Sequence, residues 1–383
     1  DDKVGQFYDD DNADSILREI TLNLSKQVMD EMEHNEEQDR NTTKDNTKEP
    51  DKKPKKKLSY KKTMIIIASV LIVLVIGVVA AGNYFLNRIN YESDQDVEII
   101  NDNSLDKSQI TEIKDIVPPD SNVINVLLIG EEKMKDRTRG RSDSMMIATI
   151  NQTQKTVKLT SLMRDCYVSI PEHGQGKMNS AYNIGGGPLL LSTIEQNFEI
   201  HLNGYARVDF DAFETIVNKL KGVEIELSEA EANYLNVKDY ISKPEFRTVK
   251  PGVQLLNGNQ ALGYSRVRYV AGIDGEKDDF GRTNRQRTVL NAIFEKYKKK
   301  NLFELVSITN EILPYITTDL SKTEILSYVA AFVGTGTTEL ETFRLPLDDG
   351  FTNVKNNQGW VLMLNYEKNN AAFHEFIYGV TAE

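Results

Sequence analysis

A layered α/β domain, with a mixed β-sheet flanked by helices and one transmembrane helix ahead of it, is the fold class the sequence predicts. Three observations carry this expectation. Short apolar runs with strand character alternate with segments of helical periodicity from about residue 122 onward. No fixed-period repeat is apparent, and mixed order of this kind favours layers over a barrel or a bundle. An uncharged apolar run, Thr63 to Leu86, stands apart from both.

The N-terminal 62 residues are dominated by Asp, Glu, Asn, Lys and Gln, the signature of a largely disordered tail. Within it Ile16, Leu17, Ile20, Leu24 and Val28 recur at helical spacing and could form an amphipathic helix, marginal on its own or docked on a cytoplasmic partner. The run 63–86 supplies the roughly 20 apolar residues that a membrane-crossing helix needs. Lys52, Lys53, Lys55, Lys56, Lys57, Lys61 and Lys62 precede it, whereas Glu92, Asp94, Asp96 and Glu98 follow. Lysines remain on the cytoplasmic side. The tail is therefore expected inside, everything after about Leu86 outside, and the acidic stretch 87–121, with Pro118-Pro119 near its end, as a stalk.

Beyond the stalk, Val123 to Ile129, Met145 to Ile150 and Val157 to Leu162 read as strands, the last two joined by a turn in Thr149 to Lys155. Leu189 to Phe198 reads as a helix, Tyr205 to Phe210 as a strand, Ala212 to Leu220 as a helix and Val223 to Leu227 as a strand. Residues 283–300 form a long helix, helices at 302–313 and 321–333 follow, and a strand is predicted at 339–345.

Composition narrows the function classes. The 383 residues carry a formal net charge of −12, which argues against general nucleic-acid binding. Cys166 is the single cysteine, so neither an internal disulfide nor a thiol metal framework is available. No pair among the four histidines has metal-ligand spacing, and no G-x-S-x-G nucleophile motif occurs. Cys166 reads as a small buried residue in preference to a nucleophile, and Gly185-Gly186-Gly187-Pro188 as a turn in preference to a phosphate cradle.

Arginine placement is the informative feature. Against 31 lysines there are only 15 arginines, yet they cluster: Arg137, Arg139 and Arg141; Arg164 before Asp165; Arg266 and Arg268; Arg282, Arg285 and Arg287. A guanidinium presents a rigid fork of donors that matches phosphate oxygens, so one convergent anionic site is a reading, with surface ion pairs as its alternative. Arg266 and Arg268 share a face only if the chain is extended there. Arg282 and Arg285 are three apart on one helical face, with Asn284 and Gln286 as neutral donors nearby. Glu131, Glu132, Asp143 and Asp165 are the acidic candidates. Glu132 ends one strand and Asp143 begins the next, so this pair could hold Mg²⁺ together with phosphate oxygens, or serve only as turn carboxylates.

At these motifs the chain resembles the LytR-CpsA-Psr family of bacterial cell-wall proteins. The matching stretches are N-V-L-L-I-G (125–130), G-R-S-D-S-M-M (140–146), R-D-C-Y-V-S-I-P (164–171), K-M-N-S-A-Y (177–182), V-D-F-D-A-F (208–213), L-N-G-N-Q-A-L-G-Y-S-R-V-R (256–268) and D-F-G-R-T-N-R-Q (279–286). The resemblance spans roughly 122–350 and leaves 351–383 as an extension packed on or following the domain. It implies a phosphotransferase that moves a glycopolymer, such as teichoic acid or capsular polysaccharide, from an undecaprenyl-pyrophosphate carrier to a peptidoglycan hydroxyl at the bacterial cell membrane. It also implies an apolar tunnel for the prenyl chain. By the family's motifs, Arg141, Arg164, Arg266, Arg268, Arg282, Arg285 and Gln286 would face the pyrophosphate, and Asp143 and Glu132 would hold Mg²⁺. Asp165 or Asp143 would accept the acceptor's proton. The chain departs from the family at Glu132, where aspartate is usual, and at Met163, where proline is usual. A non-catalytic polyprenyl-phosphate receptor and a lipid-pyrophosphate hydrolase are the alternative functions. The tunnel is expected to draw on Leu189, Leu190, Leu191, Ile194, Phe210, Phe213, Ile216 and Val217.

Overall fold

The computed structural model describes residues 89–93, 97–108, 110, 120–133, 139–298 and 311–379. The tail 1–62, the apolar run 63–86 and nearly all of the helix expected at 302–313 lie outside the described residues. No helix among the described residues is long and apolar enough to cross a membrane. Arg88–Ser321 and Ala331–Glu383 form one unit, and Lys322–Ala330 groups with Asp1–Asn87 in another. Both hydrophobic cores and the functional cavity belong to the former.

The main sheet is built on the strands that the apolar runs predict. In chain order its members are β1 (Asn90–Tyr91), β2 (Val123–Glu132), β3 (Arg141–Asn151) and β4 (Thr156–Leu162). Three more strands join from a distance in sequence. The second sheet contributes β5 (Cys166–Ile170) and β6 (Gly174–Lys177), and is followed by helix α1 (Met178–Phe198). The chain continues through β7 (Gly204–Asp209), α2 (Phe210–Lys219), β8 (Val223–Leu227), α3 (Glu229–Val237), β9 (Gly252–Leu256) and α4 (Gly258–Arg266). Next are α5 (Asp278–Lys298), β10 (Thr317–Thr318), α6 (Lys322–Thr335) and β11 (Leu340–Leu345). A hairpin of β12 (Phe351–Asn356) and β13 (Gly359–Leu364) and helix α7 (Tyr366–Tyr378) complete the fold.

The seven-stranded sheet runs β1-β10-β7-β2-β3-β4-β11, with parallel pairs β1–β10, β2–β7 and β4–β11 among antiparallel ones. Mixed pairing of this kind requires helical crossovers, and α1 supplies the one that carries the chain to β7. Leu127, Ile129, Met145 and Ile147 point to one face of this sheet, where they pack with Ile184, Leu190, Ile194 and Phe198 of α1. Because side chains alternate along a strand, Leu128, Gly130, Ser144 and Met146 fall on the other face. There α2, α4 and α5 stand over the sheet, around a second core centred on Val217, Leu235, Ala261 and Val289.

The glycine run 185–187 marks a kink in α1: Gly185 and Gly186 leave the helical path, the helical segment through Phe198 begins just after them, and Gly186 takes φ +62°, a conformation a side chain would resist. Capping explains the starts of the helices that sequence periodicity left unassigned. Ser228 with Glu231 and Asn257 with Gln260 form reciprocal capping boxes at α3 and α4.

Two flanking segments pack into the domain. The stretch 87–121 is not a free stalk in its described parts: Asn90–Tyr91 pairs with β10, Ile100 donates its amide to the Ile184 carbonyl at 2.8 Å, and Leu105 is buried in the first core. The C-terminal extension is integral, because β13 pairs with β5, and Phe373 and Ile377 of α7 sit fully buried beside Phe198. Strand pairing and apolar burial together hold both segments.

Candidate functional site

A β-bulge organises the site. Along β2 and β3 the register runs Gly130↔Ser144, then Glu131↔Ser142, so Asp143 is the extra residue. A bulge breaks the two-residue alternation and re-aims the side chains beyond it. Ser144 and Met146 line the cavity on one side of the bulge, and Arg141 and Asp143 line it on the other. Glu132, paired in register with Arg141, joins them. Buried Glu131 clamps the bend from beneath: its carboxylate accepts from the Gly140 amide at 2.8 Å and from Arg207 at 2.6 Å. Only glycine fits at 140, since a Cβ there would lie 2.0 Å from the Glu132 carbonyl oxygen.

The cavity has a volume of about 500 Å³, within the range of roughly 300–1,000 Å³ usual for ligand pockets. Its inner wall is apolar: Leu128 and Met146 from the sheet, Ala206 and Val208 from β7, Phe210, Phe213 and Ile216 from α2, Leu262 from α4, and Val289, Leu290 and Ile293 from α5. Its polar end gathers Arg141, Arg164, Arg266, Arg268, Arg282 and Gln286, together with Glu132 and Asp143. Of the apolar residues expected to form a tunnel, Phe210, Phe213 and Ile216 line the cavity. Leu190, Ile194 and Val217 are instead closed core residues, and Leu189 and Leu191 pack against the first core.

The arginines converge through acidic partners. Arg164 donates to Asp143 at 2.6 Å. Arg268 and Arg282 both reach Asp279, at 2.9 and 2.8 Å. Arg266 pairs with Glu132 at 2.8 Å and lies over the Phe210 ring, 4.8 Å from its centroid. The chain turns extended at Val267, immediately after α4, and so Arg266 and Arg268 can face the same cavity. Gln286 donates to the Asp143 carbonyl at 3.3 Å. Nε of Arg164, Nε of Arg282 and Oδ2 of Asp279 are buried without a hydrogen-bond partner among the described residues. The two guanidinium donors retain capacity for a further oxygen partner.

Electrostatics separates the two carboxylates of the bulge. Burial and the neighbouring Asp143 carboxylate raise the Glu132 pKa above the usual glutamate range. Burial acts on Asp143 in the same upward sense. The hydrogen bond with Glu132 and the charges of Arg282 and Arg164 outweigh it and hold Asp143 below the usual range. Two adjacent carboxylates, one ionised and one reluctant to ionise, form a donor pair that a divalent cation with phosphate oxygens could complete. Among the described residues no cluster of three or more His, Cys, Asp or Glu offers a cage by itself.

Two expected site residues lie elsewhere. Arg285 does not reach the cavity. It is buried, donates to Glu231 at 2.7 Å and to the carbonyls of Val267 and Val270, and so ties α5 to α3 and to the 267–270 loop. Its three-residue offset from Arg282 puts it about 60° further round the helix, enough to turn it into the second core. Asp165 bonds to Lys177 at 2.6 Å and faces a separate polar pocket on the far side of Arg164. Arg139 is structural as well, donating to the carbonyls of Ile184 and Glu98. Cys166 is fully buried, and burial pushes its thiol far above the reactive range. Sequence reasoning passed over Asp279, although it sits three residues before Arg282 at the start of α5, a spacing that pairs side chains on one helical face.

Comparison with known proteins converges with this geometry. The family model described as the LytR_cpsA_psr family matches residues 86–375, extending past the 122–350 suggested by motifs alone. A curated relative from Enterococcus faecalis, the polyisoprenyl-teichoic acid–peptidoglycan teichoic acid transferase TagU, is 33% identical over 285 residues, which is 71% of this chain and 85% of that one. The regulatory protein MsrR of Staphylococcus aureus is 30% identical over 258 residues, 66% of this chain and 74% of that one. Among solved structures, TagT bound to LIIa-WTA aligns with a TM-score of 0.56 at 25% identity, covering 72% of this chain and 99% of that one. TagT with bound octaprenyl pyrophosphate aligns at 0.51 and 25% identity, covering 70% and 95%.

Proposed function

This chain belongs to the LytR-CpsA-Psr family, and from that premise we propose that it is a glycopolymer phosphotransferase. It takes a glycan from a polyprenyl-pyrophosphate carrier and attaches it to peptidoglycan, at the outer face of a bacterial cell membrane to which the run 63–86 would anchor it. One observation carries this reading: an apolar cavity whose polar end holds five arginines and a glutamine. Long apolar chains and diphosphates are recognised by opposite chemistries, and few ligands other than a lipid diphosphate need both in one cavity. Relatives named as teichoic acid transferases and a relative's structure holding octaprenyl pyrophosphate support the same substrate class.

Phosphoryl transfer asks a protein mainly for positioning and charge compensation. Arg266, Arg268 and Arg282 would hold the diphosphate, while Arg141 and Arg164 would meet the charge that develops as the phosphorus is attacked. Gln286 adds a neutral donor. Asp279 keeps Arg268 and Arg282 in place, which leaves the remaining N–H groups free for oxygen. The apolar wall excludes water and seats the prenyl chain, so the lipid monophosphate leaves toward the membrane. Glu132 and Asp143 would hold Mg²⁺, which would supply further charge neutralisation at the diphosphate. Asp143 and Asp165, which both flank Arg164, are the candidates to accept the acceptor's proton.

The test uses the full chain in detergent with a synthetic polyprenyl-diphosphate sugar, peptidoglycan oligomers and Mg²⁺. Glycan appearing on the oligomer with stoichiometric lipid monophosphate is the expected result. Release of glycan into water alone would identify a hydrolase, and donor binding with no turnover would identify a receptor.

A further inference from the structure

Arg141 and Arg164 line two cavities at once. Beside the apolar one lies a polar pocket of about 340 Å³, and these two arginines form the wall between them. Three segments distant in sequence build the rest of it. The 97–108 stretch supplies Asp102 and Ser104, the start of α1 supplies Asn179, Ser180 and Asn183, and the β12–β13 turn supplies Gln358. The pocket is braced from within: Gln358 donates to the Ser104 carbonyl at 2.9 Å and accepts from the Lys177 amide at 3.0 Å. Asp165 faces it, its carboxylate accepting from Lys177 at 2.6 Å.

We propose that this polar pocket is the acceptor site, where a sugar of the acceptor glycan places its hydroxyl against the phosphorus held at Arg141 and Arg164, and that Asp165 is the base. The inference rests on the transferase reading above and goes on to locate its second substrate. In-line displacement requires the nucleophile to enter opposite the leaving oxygen. The leaving oxygen departs with the prenyl chain on the apolar side of the arginine wall. The nucleophile therefore enters from the polar side. The acceptor hydroxyl oxygen bonds to the sugar-linked phosphorus, the phosphorus–oxygen bond to the lipid phosphate breaks, and lipid monophosphate carries away that electron pair. The hydroxyl proton passes to Asp165. Asp143 is less suited to this task, since it lines the apolar cavity on the leaving-group side, whereas Asp165 lines the polar pocket. Amide and hydroxyl side chains such as Asn179, Ser180 and Asn183 offer the neutral donors and acceptors that sugar hydroxyls use.

The experiment measures transfer kinetics of the full chain in detergent, varying donor and peptidoglycan oligomer separately, alongside donor binding by calorimetry. Ser180→Trp fills the pocket and should raise the KM for the oligomer at least tenfold while donor Kd stays within twofold. Asn183→Ala, a milder change, should move the same parameter in the same direction. Asp165→Asn should lower kcat at least a hundredfold with donor Kd unchanged, and the acidic limb of its kcat–pH profile should vanish. Unchanged acceptor KM in Ser180→Trp, with wild-type transfer intact, overturns the acceptor site. A rise in donor Kd instead would give the pocket to the transferred glycan and overturn it equally. Failure of the wild type to bind donor would sink the transferase reading itself, and the inference with it.

Discussion

Arg285 and Glu231 meet at 2.7 Å with almost no solvent on either side chain, 3% and 1% exposed. The pair joins the start of α5 to the capping box of α3, since the other Glu231 oxygen caps Ser228. Arg282, one turn earlier, faces the cavity. One helix turn thus carries a cavity-facing arginine and a structural one. Removing one partner of a buried pair strands the other charge, so Arg285→Ala should destabilise by about 3–5 kcal/mol. Replacing both with apolar residues of similar volume, Arg285→Met with Glu231→Leu, should restore much of that. Urea denaturation checks the stabilities. Donor affinity below the melting range should be close to wild type, in contrast to an Arg282→Ala variant.

The bulge carboxylates predict an unusual response to pH. Burial and Asp143 raise Glu132 in the fold. An acid raised on folding binds its proton more tightly in the native state, so metal-free stability falls as pH climbs from the ordinary glutamate value through the raised one. A bound cation needs both carboxylates ionised, so Mg²⁺ should reverse that trend. Its apparent affinity should decline with acidification at a higher pH than an ordinary glutamate would dictate. Thermal melting across pH, with and without Mg²⁺, reads both effects. Glu132→Gln should abolish the Mg²⁺-dependent gain. If melting with Mg²⁺ follows the metal-free curve at every pH, the carboxylate pair is not a metal site.

The central sheet was legible because its strands are apolar and bounded by turn residues; the run Val157–Leu162, for example, falls within one residue of β4. The strands β5 and β6 were not, since C-Y-V-S-I and G-Q-G-K are too short and too polar to stand out; β5 is defined by pairing with β13, and β6 by pairing with β5. Eight of the ten site residues expected from the motifs line the cavity. The position of Asp143 depends on a one-residue bulge, which leaves no mark in composition. Arg285 misled for the converse reason: periodicity places it near Arg282, and only packing reveals that Glu231 occupies it.

The apolar wall predicts a length-dependent defect. Leu290 and Ile293 lie one turn apart on α5 and both line the cavity. Leu290→Trp inserts a bulky ring into that wall. A donor with a short prenyl chain should bind nearly as well as to wild type, and a long-chain donor should bind at least tenfold more weakly. The comparison is made by calorimetry in one detergent. Equal losses for both chain lengths would mean the chain does not run along α5.

Arg266 and Arg268 give the sharpest test of the diphosphate assignment, because each has a different second partner. Arg266 is held by Glu132 and by the Phe210 ring, and Arg268 by Asp279. Each substitution by alanine removes a charge-assisted contact of about 1.5–3 kcal/mol, roughly a ten- to hundredfold loss of donor affinity. Lysine keeps the charge but not the planar fork, so Arg266→Lys and Arg268→Lys should recover only part of it. Side chains a quarter to a third exposed, with ordinary ion-pair partners, should shift stability by under about 1 kcal/mol. Arg268→Ala should also loosen Asp279 and thereby Arg282, so the Arg268→Ala, Arg282→Ala double variant should lose less than the sum of the singles. Strict additivity would show that Asp279 does not couple the two arginines, and wild-type donor affinity in all the alanine and lysine variants would remove the arginine cradle from the mechanism.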